Sequence, residues 1–308
     1  MSDKAPPSAP TTAPAPAPTE TPAPAPAPAE LVSAGASAPS ATSGILEPEP
    51  ANEGQSLVVF GIGRETVSGS DQRHGPERLG CSDFADEYPN AEVIGTDISP
   101  IQPSWIPPNL RFEIDDATLP WTFGSNVFDY IHMRYLFGSI SDWQALFDQA
   151  YAACKPDGWV ESFEMSSVAR SDDDSVKEGS ALETWSEAFV QGGKKFGRSF
   201  TIVDEDVQQK CMEKSGFTDI AVKDIKCPIG PWAREKKYKE MGMYSRAALE
   251  ADIEGYVLMM FSTVFGWEKE QIQAYIALLR RQIRDPNVHC YYRMRISNMV
   301  YPPSLVLK

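Results

Sequence analysis

From residue 84 onward the chain alternates between short strand-like stretches, of which 91–98 is the most apolar, and longer stretches in which apolar residues recur every third or fourth position. The first kind reads as strands, the second as amphipathic helices. By this test "AEVIGTDI" (91–98), "NLRFEIDDA" (109–117), "NVFDYIHMRYL" (126–136) and "KPDGWVESFEM" (155–165) are strands. "GCSDFADEYP" (80–89) supplies a helix and turn before the first of them. In "SISDWQALFDQAYAACKPDG", Trp143, Leu146, Phe147 and Ala150 share one helical face, and Ser141 or Asp142 can cap its start. Strands separated by helices predict a parallel, helix-covered sheet.

Past residue 165 the rhythm turns helical. "DDDSVKEGSALETWSEAFVQGGKKFG" (172–197) predicts a helix with an acidic first turn and a Gly-Gly end. A capped helix closed by Gly216 follows, then a strand over 218–230. Residues 232–285 predict two further helices, "YSRAALEADIEGYVLMMFSTVFGW" and "EKEQIQAYIALLRRQIRD", before a last strand, "NVHCYYRMRI" (287–296). The apolar stripes of 247–284 fit core packing, and also a lid over an apolar substrate.

Composition changes this picture at the start of the chain. Of the 26 prolines among 308 residues, 13 fall in the first 50, most of them alternating with alanine. Such a stretch has little to bury and cannot form regular helix, so residues 1–55 are expected to be a disordered Pro/Ala-rich tail and 56–308 the folded domain. The formal charge of −15 argues against a nucleic-acid partner, which needs clustered cations. The densest basic patch, "REKKYKE" (234–240), is interrupted by acids. No run of 18 apolar residues offers a membrane span, and no apolar leader follows Met1. Five scattered cysteines without a CxxC pair suit free thiols, and three dispersed histidines favour no metal site. A cytoplasmic location is expected, or a nuclear one under the regulatory reading below.

Ligands of open α/β sheets sit beyond the carboxyl ends of the strands. There, Asp97 is placed to accept from both hydroxyls of a ribose. Asp116 can accept from an adenine amino group, and the small Ala117 leaves room for the ring. His132, in "FDYIHMR", is the histidine nearest the far end of such a ligand and the candidate catalytic base. The phrases "GTDISPIQPSWIPPNLRFEIDDA", "FDYIHMR" and "CKPDGWVE" resemble the fungal LaeA-like S-adenosylmethionine-dependent methyltransferases, over about residues 83–295. The resemblance implies a Rossmann-like class I methyltransferase sheet with helices on both faces and a helical substrate-side insertion at about 232–285. It also implies S-adenosylmethionine as cofactor, held by Asp97, Ile98, Asp116 and Ala117.

Two stretches depart from that family pattern. The glycine-rich loop expected about 20 residues before Asp97 is not recognisable in "RHGPERLG" (73–80), and the apolar run "LVVFGIG" (57–63) lies 34 residues upstream with only a Gly-x-Gly. After "HCYYRMR" the chain reads "ISNMVYPPSLVLK", which departs over 296–308. The expected function is methyl transfer to a small-molecule acceptor, in fungal secondary metabolism. The alternatives are a LaeA-like regulator working with velvet-type partners, and a catalytically impaired scaffold of the same fold.

Overall fold

A computed structural model describes residues 56–61, 80–99 and 105–301. The Pro/Ala-rich stretch 1–55 and most of the "RHGPERLG" segment lie outside the described residues. In chain order the elements are β1 (Ser56–Gly61), α1 (Cys81–Glu87), β2 (Glu92–Asp97), β3 (Leu110–Ile114), β4 (Phe128–Arg134), α2 (Trp143–Ala153) and β5 (Cys154–Met165). Then come α3 (Ala181–Phe196), α4 (Val207–Ser215), β6 (Thr218–Pro228), α5 (Lys236–Ala251), α6 (Ile253–Phe265), α7 (Lys269–Arg284) and β7 (Tyr291–Val300).

The strands form one seven-stranded sheet in the order β3-β2-β1-β4-β5-β7-β6. β1 to β5 are parallel, and β7 runs antiparallel to both β5 and β6. This is the class I methyltransferase sheet that the resemblance implies. Strand order reverses between β1 and β4, the switch point at which α/β sheets open a ligand crevice. The two faces of β2 show how the sheet is covered. Val93 joins Cys81, Ala85 and Leu110 in the small core beneath α1, whereas Ile94 joins Ile131, Met133, Leu146, Phe147 and Val160 in the core beneath α2. Helices therefore pack on both faces. A separate core gathers α3, α6 and α7 around Leu182, Val257, Phe261 and Leu279.

Several expectations change at the ends of elements. The apolar run expected from residue 57 lies, as far as Gly61, in an interior strand: β1 pairs with β2 on one side and β4 on the other, with Phe60 opposite Thr96 and Gly61 opposite Arg134. The last strand does not stop at residue 296. It is paired to Val300, which lies opposite both Trp159 and Thr218. The acidic run 172–174 is not a first helical turn, because α3 starts only at Ala181, capped by Ser180, whose hydroxyl accepts from Glu183 N at 3.2 Å. Asp173 is drawn instead to His289 Nδ1 (2.6 Å) and Asp172 to Tyr291 (2.8 Å). Gly192 and Gly193 do not end that helix either. They are buried within it: a Cβ on Gly192 would lie 2.2 Å from Met260 Sδ of α6, and one on Gly193 would lie 3.0 Å from the Arg198 carbonyl oxygen, so the first lets α6 approach and the second the segment that follows α3. The single helix expected over 244–267 is two, joined at Asp252, whose carboxylate accepts from Gly255 N.

Candidate functional site

The carboxyl ends of β2 and β3 lie side by side, Asp97 opposite Ile114. Asp97 is the last residue of β2, and its Oδ1 accepts from Ser99 N at 2.8 Å. That bond turns the chain away from the sheet and leaves Oδ2 with no protein hydrogen bond among the described residues. Asp116 stands two residues past the end of β3. Its Oδ1 accepts from Thr118 N (2.9 Å) and Thr118 Oγ1 (2.7 Å), an Asx-type turn. These bonds from Thr118, with the nearby Arg198 guanidinium, hold its carboxyl below the ordinary range. Ala117 packs at the margin of the core beneath α2, and its carbonyl accepts from Trp121 Nε1 at 3.1 Å.

Around these acids the strand ends are apolar and open. Ile98 is 52% exposed, Ile114 66% and Leu119 57%. Scattered exposed aliphatics need no explanation, but three at the ends of neighbouring strands make a surface suited to a flat ring. Of these, sequence reasoning named only Ile98. The only signal for Ile114 lay in its place as the last apolar residue before the acids Asp115 and Asp116.

His132 lies elsewhere than at a strand end. It is two residues inside β4, opposite Val59 of β1 and Glu161 of β5. Its side chain shares a face with Tyr130, which stacks against Phe84 of α1. Nδ1 is 2.8 Å from Glu161 Oε1, and the Tyr130 hydroxyl donates to the same oxygen at 3.1 Å. A carboxylate on Nδ1 fixes the proton there and leaves Nε2 bare. Nε2 is buried and has no hydrogen-bond partner among the described residues. Burial, reinforced by the Glu161 charge, raises the Tyr130 phenol well above its ordinary range, so it remains a donor. The partner Glu161 was missed; its signal was the period-two register of "WVESFEM" against "YIHMR".

The turn after β4 is braced from below. Tyr135 adopts φ 54°, a left-handed conformation that a bulky residue seldom takes. The two following amides, Leu136 N and Phe137 N, donate to Glu164 Oε1 and Oε2 at 3.1 and 3.0 Å. Glu164 is fully buried, and burial pushes its carboxyl up to about 8 against the opposing pull of these amides. Gly138 completes the turn at φ 72°, with its N–H on Ser199 O at 2.7 Å. A Cβ there would enter the Phe200 ring. The loop that overhangs the switch point is thus locked to β5 and to the segment after α3.

Comparison with known proteins puts this geometry in a family. Residues 52–222 match the methyltransferase domain model. The chain is 32% identical over 210 residues to the methyltransferase pytC of Aspergillus terreus, covering 68% of this chain and 64% of that protein. It is 31% identical to the secondary metabolism regulator LAE1 of Cochliobolus heterostrophus, covering 70% of each. It is 30% identical to the protein-methionine methyltransferase laeA of Emericella nidulans, covering 71% of this chain and 60% of that one. The chain thus spans under two thirds of the length of the first and last of these. Among solved structures, the phosphoethanolamine N-methyltransferase 2 of Haemonchus contortus in complex with S-adenosyl-L-methionine aligns with TM-score 0.47 and 18% identity, over 82% of this chain and 50% of that one.

Proposed function

This chain belongs to the methyltransferase-domain family, and from that premise we propose that it transfers a methyl group from S-adenosylmethionine to a small-molecule acceptor. The observation that carries the reading is the pairing of Asp97 and Asp116 at adjacent strand ends with exposed Ile98, Ile114 and Leu119 around them. The residues fit the cofactor's nucleoside. Asp97, with one oxygen spent on Ser99 and the other open, suits two ribose hydroxyls. Asp116, held ionised by Thr118, suits an amino group, and Ala117 leaves the ring its space. When bound, the cofactor supplies a methyl group activated on a sulfonium. The protein's part is then alignment and exclusion of water, which the braced turn at 135–138 favours. For a hydroxyl acceptor, His132 remains the proposed proton acceptor, with Glu161 setting its tautomer and Nε2 the basic atom.

Titration calorimetry with S-adenosylmethionine tests the reading. Binding is expected in the native chain and its loss in Asp97→Ala; equal binding by both would refute the assignment of Asp97. A second reading, a regulator with velvet-type partners, is favoured by relatives that are named regulators of secondary metabolism. A stable complex with such a partner, formed equally by Asp97→Ala, would support it.

A further inference from the structure

The carboxyl ends of the parallel strands differ in the sign of their charge. β2 closes on Asp97 and β3 is followed by Asp115 and Asp116, whereas β4 closes on Arg134. Arg134 lies opposite Gly61, the last residue of β1, on one side and Phe163 of β5 on the other, so it borders the switch point. Its Cζ sits over the Tyr135 ring, 4.9 Å from the centroid, and that ring leans on Phe163 with centroids 5.3 Å apart. The left-handed backbone at Tyr135 ends the strand immediately after Arg134, and the Glu164 bonds that brace the turn hold this platform in place.

Arg134 is half-buried, yet its side chain makes no hydrogen bond or ion pair with any described residue. Contact with a ring leaves the N–H fork without an oxygen. A partly desolvated charge in that state gains from an anion that reaches it, and a guanidinium receives a carboxylate through two parallel bonds.

The proposed cofactor carries such a group. With its adenine at Asp116 beyond β3 and its ribose at Asp97 on β2, the rest of the molecule continues along the row of strands, over β1 toward β4. β4 is two strand spacings from β2, about 10 Å. That is the reach of S-adenosylmethionine from its ribose hydroxyls to its amino-acid carboxylate when extended. Beyond Gly61 and Gly63 the sequence shows no recognisable glycine-rich loop whose amides could receive that carboxylate instead.

We propose that Arg134 binds the carboxylate of the cofactor's amino-acid end, and so selects S-adenosylmethionine over its decarboxylated form. This deepens the methyl-transfer reading and rests on it for the identity of the ligand. Acids hold the nucleoside and a cation holds the carboxylate; with both ends fixed, the sulfonium between them is fixed as well. Without its carboxylate the ligand brings only ammonium and sulfonium charges to the guanidinium, so the residue that holds one form repels the other.

The test is calorimetry on the full chain with S-adenosylmethionine and with decarboxylated S-adenosylmethionine, which differ by that carboxylate alone. The native chain is expected to prefer the carboxylate form at least about tenfold, a difference of about 1.4 kcal/mol. Arg134→Met keeps an apolar stem over the Tyr135 ring and removes the fork. It should bring the two affinities together by weakening S-adenosylmethionine, while the decarboxylated form binds as before or better. Arg134→Lys restores a charge without the fork and should fall between. Equal affinities in the native chain would overturn the proposal. A loss shared alike by both ligands in Arg134→Met would mark a structural role, and an unchanged preference would give Arg134 to another anion, such as an acidic acceptor. Each of these three results overturns the assignment of Arg134 and leaves the cofactor reading standing. Binding of neither ligand by the native chain would overturn both.

Discussion

Glu164 gives the structure a dependence on pH opposite to that of most proteins. Its carboxyl is fully buried and receives only two amides, so burial dominates and its pKa rises from 4.5 to about 8. Between those values the folded state holds a proton that the unfolded chain has released. Stability from this group is therefore complete below pH 4.5 and is lost as pH rises toward 8. At about 1.4 kcal/mol for each tenfold change in proton affinity, the ceiling is roughly 5 kcal/mol. That is comparable with the whole stability of a small domain. Glu164→Gln removes the titration. It has a pH-independent cost of its own, about 1–3 kcal/mol, because the amide can accept from only one of Leu136 and Phe137. Urea unfolding of both proteins at pH 5 and pH 8.5 isolates the slope from the offset. The stability difference should move in favour of Gln by at least about 2 kcal/mol over that interval. A difference constant to within about 0.5 kcal/mol would refute the argument, and with it the picture of a carboxyl held neutral beneath the β4 turn.

Two helix-interior glycines should respond to alanine by very different amounts. At Gly242 a Cβ would lie 2.0 Å from the Gly230 carbonyl oxygen, which is backbone and cannot yield, so Gly242→Ala should lose roughly 3 kcal/mol in urea unfolding. At Gly192 the obstacle is the flexible end of Met260, and relief of glycine's helix penalty of about 1 kcal/mol should leave Gly192→Ala within about 1 kcal/mol of the native chain. Phe147 is wholly buried beneath the sheet, and Phe147→Ala should cost about 3–5 kcal/mol by the same assay. Burial pushes the thiols of Cys154 and Cys290 up to about 12, so under native conditions a thiol reagent at pH 8 should label the half-buried Cys211 first and these two only on unfolding.

Sequence periodicity made the parallel strands legible because short strand-like stretches alternate with helical ones, and two of them end at acids that stand out, Asp97 and Asp116. It set both acids at strand ends; Asp97 closes β2, and Asp116 stands two residues past the end of β3. It undervalued 57–63, since a strand flanked by charged, glycine-broken sequence carries no local mark of centrality; only pairing on both sides gives it that place. It set His132 near a strand end, whereas the end is fixed by the backbone bend at Tyr135, a conformation no propensity scale assigns to tyrosine. Glu161 and Glu164 alternate in one strand and point to opposite faces, so one orients an imidazole and the other braces a turn. Charge alone could not separate those tasks.

The position of β7 also dictates when the sheet can be finished. β6 touches no strand but β7, and β7 lies between it and β5, its arginines reaching across to Asp224, Asp206 and Asp204. A chain emerging from the ribosome can assemble β1 to β5 with α1 and α2 early. β6 must then wait through α5, α6 and α7 before its only neighbour is made. During that interval two strand edges, those of β5 and β6, present unpaired amides and carbonyls. The wait spans some 60 residues, a few seconds or more at ordinary rates of synthesis. The acids of β6, Asp219 and Asp224, and its lysines, Lys223 and Lys226, are the kind of residue that keeps such an edge from pairing with the wrong chain. Asp224, which later ties β6 to Arg293 and Arg295 of β7, thus serves first as part of a guard against aggregation.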